Sequence, residues 1–166
     1  MSHKTKTVVL LTLVLAVLLI PQTLLSQNRG EETALAGLSQ LKVYFDVKAD
    51  SAAKLEKRLE WINDAYEQVS GQGIKPSFVV GFRSRASFFV TKGEEYVDEK
   101  EISTKVKIEK WLRIFREKGM VMEQCGLSAE LFEIDREDFL APVRVVKSGY
   151  VSIAGYQNQG YAYVPM

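Results

Sequence analysis

Cys125 is the only cysteine in the 166-residue chain and the residue best suited to covalent chemistry. It follows the apolar run 120–122 and precedes residues 126–131, which are typical of the opening of a helix. Amides at a helix N-terminus stabilise a thiolate, so this position favours a reactive thiol. A neighbouring carboxylate, Glu123, would oppose ionisation, and a small buried hydrophobe is a common fate of a free cysteine. From position alone, a reactive thiol and an inert one are about equally supported.

Two arginines, Arg83 and Arg85, flank Ser84 just after a predicted strand. One interpretation is an anion site beside the thiol that would hold sulfite, thiosulfate or a persulfide leaving group. The other is a solvated loop with ordinary surface charges, which is the commoner explanation of a pair of arginines.

The residues that the chain lacks exclude several classes of function. The only histidine, His3, lies in the N-terminal segment, so no histidine base serves Cys125 and a cysteine-protease dyad is excluded. No cysteine–histidine cluster for zinc or iron–sulfur and no glycine-rich phosphate loop is present, so we expect no metal and no cofactor. Lysine plus arginine (22) nearly equals aspartate plus glutamate (21), which gives no electrostatic case for nucleic acid.

Residues 1–26 predict a signal peptide or an N-terminal anchor. Lys4 and Lys6 precede an apolar or neutral run from Val8 to Ile20, which is short for a spanning helix of about 20 residues. The cleavage motif is imperfect, so a membrane-anchored chain held by residues 7–25 is the alternative to a periplasmic or secreted one. Residues 27–39 are polar and small, and we expect a disordered lead-in. A lone cysteine in an exported protein has no partner for an internal disulfide, although an intermolecular one is open to it.

The rest of the chain alternates between two periodicities. Apolar residues from Leu55 to Val69 recur at steps of three and four after a cap at Asp50 or Ser51, which predicts a helix ending at Gly71. A second long helix is predicted over 102–115, and shorter ones over 86–91 and 128–133. Apolar and β-branched runs predict five strands, at 41–47, 77–82, 120–125, 143–147 and 160–164. Residues 150–156 fit either a strand or a helix.

Strands that alternate with helices predict a parallel sheet covered on both faces, in a single α/β domain over residues 40–166. In such folds the ligand edge lies beyond the carboxyl ends of the strands. Cys125, Arg83, Arg85 and the region of Asp46 all fall on that edge.

The chain resembles the DsrE/DsrF-like family of sulfur-oxidation and sulfur-relay proteins, and most closely its exported branch. The resemblance covers about residues 40–166. The matching stretches are LKVYFDV (41–47), LEWINDAY (59–66), PSFVVGF (76–82), VMEQCGLSA (121–129) and GYQNQGYAYVP (155–165).

The resemblance implies a three-layer flavodoxin-like sandwich with a five-stranded parallel sheet, and a homo-oligomer, often a trimer or hexamer. It implies that Cys125 is the sulfur-carrying position, with Ser128 and Ala129 as the small residues that follow it. It also implies a helix over 149–159 before the last strand.

We therefore expect an exported sulfur carrier that holds sulfane sulfur as a persulfide on Cys125, with a sulfur donor or acceptor protein as a possible partner. As an enzyme it would be at most a sulfurtransferase-like carrier. The alternatives are a homo-oligomeric binding module with an inert Cys125, and a small-molecule thiol or sulfite enzyme that uses Arg83 and Arg85.

Overall fold

The structure, a computed structural model, describes residues 34–166. The predicted signal peptide or anchor (1–26) and most of the predicted lead-in (27–39) lie outside the described residues. Residues 34–38 do not belong to the compact unit formed by residues 39–166, and the fold below is that of residues 39–166. None of the helices within 34–166 has the length and apolar content needed to cross a membrane.

The centre of the fold is a five-stranded sheet in which every pairing is parallel and the strand order is β4-β3-β2-β1-β5. The strands are β1 (Gln40–Lys48), β2 (Lys75–Arg83), β3 (Val121–Cys125), β4 (Arg144–Val146) and β5 (Ala162–Pro165). The prediction of a five-stranded parallel α/β sheet is confirmed.

The helices that connect these strands are α1 (Ala52–Gly71), α2 (Glu99–Glu117), α3 (Gly126–Leu131) and α4 (Gly149–Asn158). Crossovers between parallel strands are right-handed. The connections from β1 to β2 and from β2 to β3 move across the sheet in the same direction, so the helices in them, α1 and α2, pack together on one face. The step from β4 to β5 runs back past β1, so α4 covers the other face. The result is a flavodoxin-like sandwich of three layers.

The two central strands are buried on both faces. Residues 43–47 of β1 and 78–83 of β2 are buried without interruption, as expected of strands covered by helices on both sides. The predicted helical stripe of α1 supplies Leu55, Leu59 and Ile62 to the core, each fully buried. Ser51 caps this helix by accepting a hydrogen bond from the amide of Lys54 at 3.4 Å. The sequence had left the cap open between Asp50 and Ser51.

Several predicted boundaries are wrong by one to three residues. The second strand begins at Lys75, not 77. Pro76 is tolerated in it because β2 pairs with β3 only from Val79 onward, so the amide hydrogen that proline lacks has no partner strand to bond to on that side. The fourth strand covers 144–146, not 143–147, because the amide of Val143 is used in a turn to Leu140.

The helical segments differ from expectation in similar ways. The short helix predicted at 86–91 is a 3-10 helix over Ser84–Val90, and the one predicted at 128–133 is α3, which begins at Gly126. The second long helix spans Glu99–Glu117, longer than the predicted 102–115. The ambiguous segment 150–156 is helical, and it belongs to α4.

Candidate functional site

Cys125 is the last residue of β3, and α3 begins at the next residue. β3 pairs with β4 so that Cys125 lies opposite Val146, and the carboxyl ends of both strands meet at one edge of the sheet. α4 begins three residues after Val146. Its first amide, that of Gly149, therefore reaches the thiol and donates a hydrogen bond to Sγ at 3.2 Å. The predicted location of Cys125 at a strand-to-helix junction is confirmed.

A side chain at position 149 would crowd the thiol. A Cβ added to Gly149 would lie 3.1 Å from Cys125 Cβ, 3.2 Å from its Sγ and 3.1 Å from Arg83 Cδ. These distances are tighter than ordinary van der Waals contact. Glycine at this position is what lets the first turn of α4 approach the sulfur.

The surroundings of Cys125 favour its thiolate. The residue is only 3% exposed, and burial by itself raises the pKa of the thiol. The hydrogen bond from the Gly149 amide at 3.2 Å and the nearby donor groups of Ser128 and Leu127 outweigh that effect. The net result is a pKa below the ordinary value for cysteine. Stabilisation of the thiolate favours nucleophilic attack by the sulfur.

Cys125 opens into a cavity of about 270 Å³, which we call the thiol cavity. Its lining combines polar side chains with exposed apolar ones. It is lined by Lys48, Arg83, Ser84, Cys125, Leu127, Ser128, Leu131 and Tyr150. Tyr150 is 65% exposed and Leu131 75% exposed, so the mouth of the cavity is apolar.

Arg83 lies in the thiol cavity wall, but its guanidinium is already occupied. It forms a two-pronged ion pair with the fully buried carboxylate of Asp46, with Nε at 2.5 Å from Oδ1. Tyr163 donates to the same carboxylate at 2.7 Å. Burial would raise the pKa of Asp46, but the hydrogen bonds from Arg83 and Tyr163 and the charges of Arg83 and Lys48 hold that pKa below its usual range. The interpretation of Arg83 as a solvated surface charge is wrong.

Ser84 and Arg85 have different positions. Ser84 has a left-handed backbone, with φ of 58°, and its amide donates to the Ser128 hydroxyl at 3.1 Å. That contact orients a hydroxyl that lines the thiol cavity together with Cys125. Arg85 does not line the thiol cavity; its guanidinium lies 5.2 Å from the Phe88 ring centre and borders a neighbouring cavity. The structure thus separates the two arginines that the sequence placed in one anion site. Whether Arg83, Ser84 and Arg85 bind an anion stays a prediction.

Glu123, which adjoins the thiol in sequence, is buried (1% exposed) and held by three partners. Arg144 forms an ion pair with it, and Ser152 and Tyr156 donate hydrogen bonds to its two oxygens. Burial and the charge of Glu123 raise the pKa of Tyr156 to about 12. The network ties β3, β4 and α4 together beside a larger cavity of about 620 Å³.

Sequence reasoning missed the closest polar contact of the thiol. The Gly149 amide is 24 residues from Cys125 in the chain, and its only sequence signal is a glycine at a helix start after a short strand. The Asp46–Arg83 pair was likewise missed, although both residues were placed on the ligand edge. Among residues 34–166, no group of three or more histidine, cysteine or acidic side chains is arranged to hold a metal ion.

Comparison with solved structures shows the fold. A protein of unknown function from Methanobacterium thermoautotrophicum, MTH1491, superposes with a TM-score of 0.59 at 17% identity, covering 76% of this chain and 99% of that one. The ychN protein from E. coli superposes with a TM-score of 0.57 at 13% identity, with the same coverage of 76% and 99%.

Comparison of sequences shows the family. No curated protein matches the chain significantly. The model of the DsrE/DsrF-like family matches residues 42–166, which includes all of the sheet beyond its first two residues and every residue of the thiol cavity. The match covers far more than half of the sequence. The chain belongs to the DsrE/DsrF-like family.

Proposed function

We propose that this protein carries sulfane sulfur as a persulfide on Cys125. The observation that supports the proposal most is the hydrogen bond that the Gly149 amide donates to the Cys125 sulfur at 3.2 Å, at the strand-to-helix junction that lines the thiol cavity. The DsrE/DsrF-like family is generally associated with sulfur relay, which supports the same function.

The chemistry is an exchange at sulfur. The Cys125 thiolate attacks the outer sulfur of a persulfide R–S–SH, the S–S bond of the donor breaks, and Cys–S–S⁻ and R–SH are formed. A second thiolate removes that sulfur by the same step in reverse. Neither step needs a histidine base or an oxyanion hole, because the leaving group is a thiolate that departs with its own electron pair.

Mass spectrometry of the intact folded protein tests the proposal. After exposure to a persulfide donor without reducing agent, the wild type should gain the mass of one sulfur atom, and dithiothreitol should remove it. Cys125→Ser should gain none while keeping the circular dichroism spectrum of the wild type. A wild type that takes up no sulfur would exclude the carrier function.

The low exposure of Cys125, 3%, favours the alternative of a binding module with an inert thiol. Alkylation of the folded protein with iodoacetamide separates the two functions. A carrier should be modified at a rate within about tenfold of that of free cysteine at pH 7, because its thiolate is stabilised. An inert thiol should be modified only under denaturing conditions.

We also propose a homo-oligomer, as trimers or hexamers are expected from the family. Two adjoining elements support it. α4 exposes Tyr150 to 65% and Val151 to 72%, and the edge strand β5 is exposed along its whole length, with Tyr163 and Val164 above one-third. Exposed apolar side chains and free strand edges are normally covered by a partner. Sedimentation that shows only a species of 18.7 kDa or smaller would contradict the proposal.

Export, to the periplasm or outside the cell, rests on the sequence of residues 1–26 alone. The mature chain should begin between about residues 22 and 30. N-terminal analysis of the protein recovered from an exporting host measures this directly. A full-length chain that stays with the membrane fraction would favour the anchor.

A further inference from the structure

A second cavity, of about 230 Å³, lies at the same edge of the sheet as the thiol cavity. Its walls carry four cationic side chains, Lys48, Lys54, Arg58 and Arg85, which define what we call the basic cleft. Lys48 and Ser84 line both this cleft and the thiol cavity, so the two spaces share a wall. One carboxylate, Asp50, also borders the cleft.

The positive charges of the cleft are only partly neutralised by the protein. Lys54 pairs with Asp50 at 2.8 Å, and Lys48 lies 3.8 Å from the Asp46 carboxylate. Neither Arg58 nor Arg85 forms a salt bridge with any acidic side chain of the described chain. The Nη1 atom of Arg58 is also buried without a hydrogen-bond partner among residues 34–166. The two guanidinium groups therefore keep a positive charge that no carboxylate of residues 34–166 neutralises in a salt bridge, and an anion in the cleft would be attracted to both.

We propose that the basic cleft binds the oxyanion of a small sulfur donor whose transferable sulfur enters the neighbouring thiol cavity. The inference deepens the sulfur-carrier function and rests on it. The ligand is an acidic sulfane-sulfur compound, with either a sulfonate or a carboxylate as the anchored group. Arg58 and Arg85 are the principal binding residues, since guanidinium groups match the geometry of planar and tetrahedral oxyanions.

The position of this site differs from the one that the arginine pair in the sequence indicates. Arg83 holds Asp46 with two of its nitrogens, so its charge is largely committed to a buried carboxylate. Arg58, on α1, lies far from Arg83 and Arg85 in sequence, and in this site it takes the place of Arg83 as the second arginine that binds the oxyanion.

The transfer from each donor class balances. With thiosulfate, Cys–S⁻ attacks the terminal sulfur, the S–S bond breaks and Cys–S–S⁻ and sulfite dianion are formed. With an acidic persulfide, Cys–S⁻ and R–S–SH give Cys–S–S⁻ and R–SH. In both reactions the basic cleft holds the leaving group, which is sulfite in the first and the acidic thiol R–SH in the second.

Direct binding is measured with sulfate as the probe, by titration followed by nuclear magnetic resonance at constant ionic strength set with chloride. Wild type and Cys125→Ser should bind sulfate alike, with shifts at the Ser84 amide and the arginine side chains. The double variant Arg58→Gln, Arg85→Gln should bind at least about tenfold more weakly. The matched control, Arg113→Gln on α2 and outside both cavities, should bind as wild type does. Equal sulfate affinity in wild type and the double variant would overturn the inference.

Sulfur loading of Cys125 is then compared for thiosulfate, glutathione persulfide and the persulfide of N-acetylcysteinamide, whose organic part is uncharged because it has no carboxylate or sulfonate. The double variant should load about tenfold more slowly from the anionic donors and at an unchanged rate from the uncharged one. Slower loading from thiosulfate identifies a sulfonate-type oxyanion as the group that the cleft binds, and slower loading from glutathione persulfide identifies a carboxylate. Equal slowing with all three donors, or none, would overturn the inference while leaving the carrier function intact.

A measurement on wild type alone guards against misfolding of the double variant. Sulfate should compete with loading from an anionic donor and leave loading from the uncharged persulfide unchanged. If sulfate binds but no donor loads Cys125, the carrier function fails and only the oxyanion site remains. If sulfate neither binds nor competes, the basic cleft is not an anion site.

Discussion

The amide of Gly149 donates a hydrogen bond to the sulfur of Cys125 at 3.2 Å; Cys125 ends β3, and Gly149 follows the adjacent parallel strand β4. The first turn of α4 is thereby fixed over the thiol. The second helix, α3, begins at the residue directly after Cys125. The thiol thus lies at the starts of two helices and accepts a hydrogen bond from one of them, which is an arrangement that stabilises negative charge.

Replacing Gly149 by alanine should reduce the reactivity of Cys125. The added methyl would lie 3.1–3.2 Å from Cys125 and would displace either the sulfur or the start of α4. We expect a loss of about 1 kcal/mol in the free energy of unfolding and alkylation several-fold slower at pH 7. Gly155→Ala is the matched control, since a Cβ there meets nothing within 4 Å, and it should be neutral or stabilising. Equal alkylation rates for the two variants would show that the Gly149 amide does not activate the thiol.

Replacing Ser128 by alanine should move the pH profile of alkylation to higher pH. The hydroxyl of Ser128 accepts from the Ser84 amide and stabilises the Cys125 thiolate, so its loss disfavours ionisation. In the wild type the rate should reach half of its maximum at a lower pH than it does for free cysteine. In Ser128→Ala we expect a rate about tenfold lower at pH 7, with little change at pH 10, where the thiol is ionised in both proteins. A uniform fall at every pH would indicate lost access instead.

Replacing Asp46 by asparagine should destabilise the protein near neutral pH, because Arg83 would be left buried without its counter-charge. We expect a loss of about 3 kcal/mol in the free energy of unfolding at pH 7, measured by urea denaturation. The pKa of Asp46 is lowered in the folded state. Its contribution to stability is therefore present above the ordinary carboxyl value of about 3.9 and is lost as the pH falls through the lower folded value.

The difference between wild type and Asp46→Asn should accordingly shrink below about pH 4. Asp64→Asn, at an exposed carboxylate on α1, should change stability by less than about 0.5 kcal/mol at any pH. A constant difference between the stabilities of Asp46→Asn and wild type down to pH 2 would contradict a lowered Asp46 pKa.

Replacing Gly81 by alanine should prevent normal folding. A Cβ there would lie 2.0 Å from the hydroxyl oxygen of Tyr44, a residue that is only 1% exposed and packed in the core. We expect a loss of more than about 3 kcal/mol, seen as a large fall in melting temperature. Gly71→Ala, at the end of α1 with nothing within 4 Å of the added Cβ, serves as the control. A melting temperature for Gly81→Ala like that of Gly71→Ala would show that β1 and β2 adapt more freely than the close approach indicates.

Local patterns in the sequence determined the class of the fold and the position of the thiol. The alternation of apolar runs with a stripe such as Leu55–Leu59–Ile62 depends only on backbone periodicity, and it correctly predicted parallel strands joined by helices. Cys125 was placed at a strand end by its immediate neighbours. Short-range geometry suffices for such inferences, because dihedral angles and burial repeat over a few residues.

Only the tertiary structure decided what surrounds the thiol. The Gly149 amide meets Cys125 because β4 pairs with β3, and Asp46 meets Arg83 because β1 pairs with β2. Strand order is a long-range property that no local spacing encodes. The separation of Arg83 from Arg85 has the same origin: the chain turns at Ser84, with φ of 58°, so that one arginine stays at the sheet and the other leaves it. Sequence could place these residues on one edge, and the order of the strands determined which of them touch.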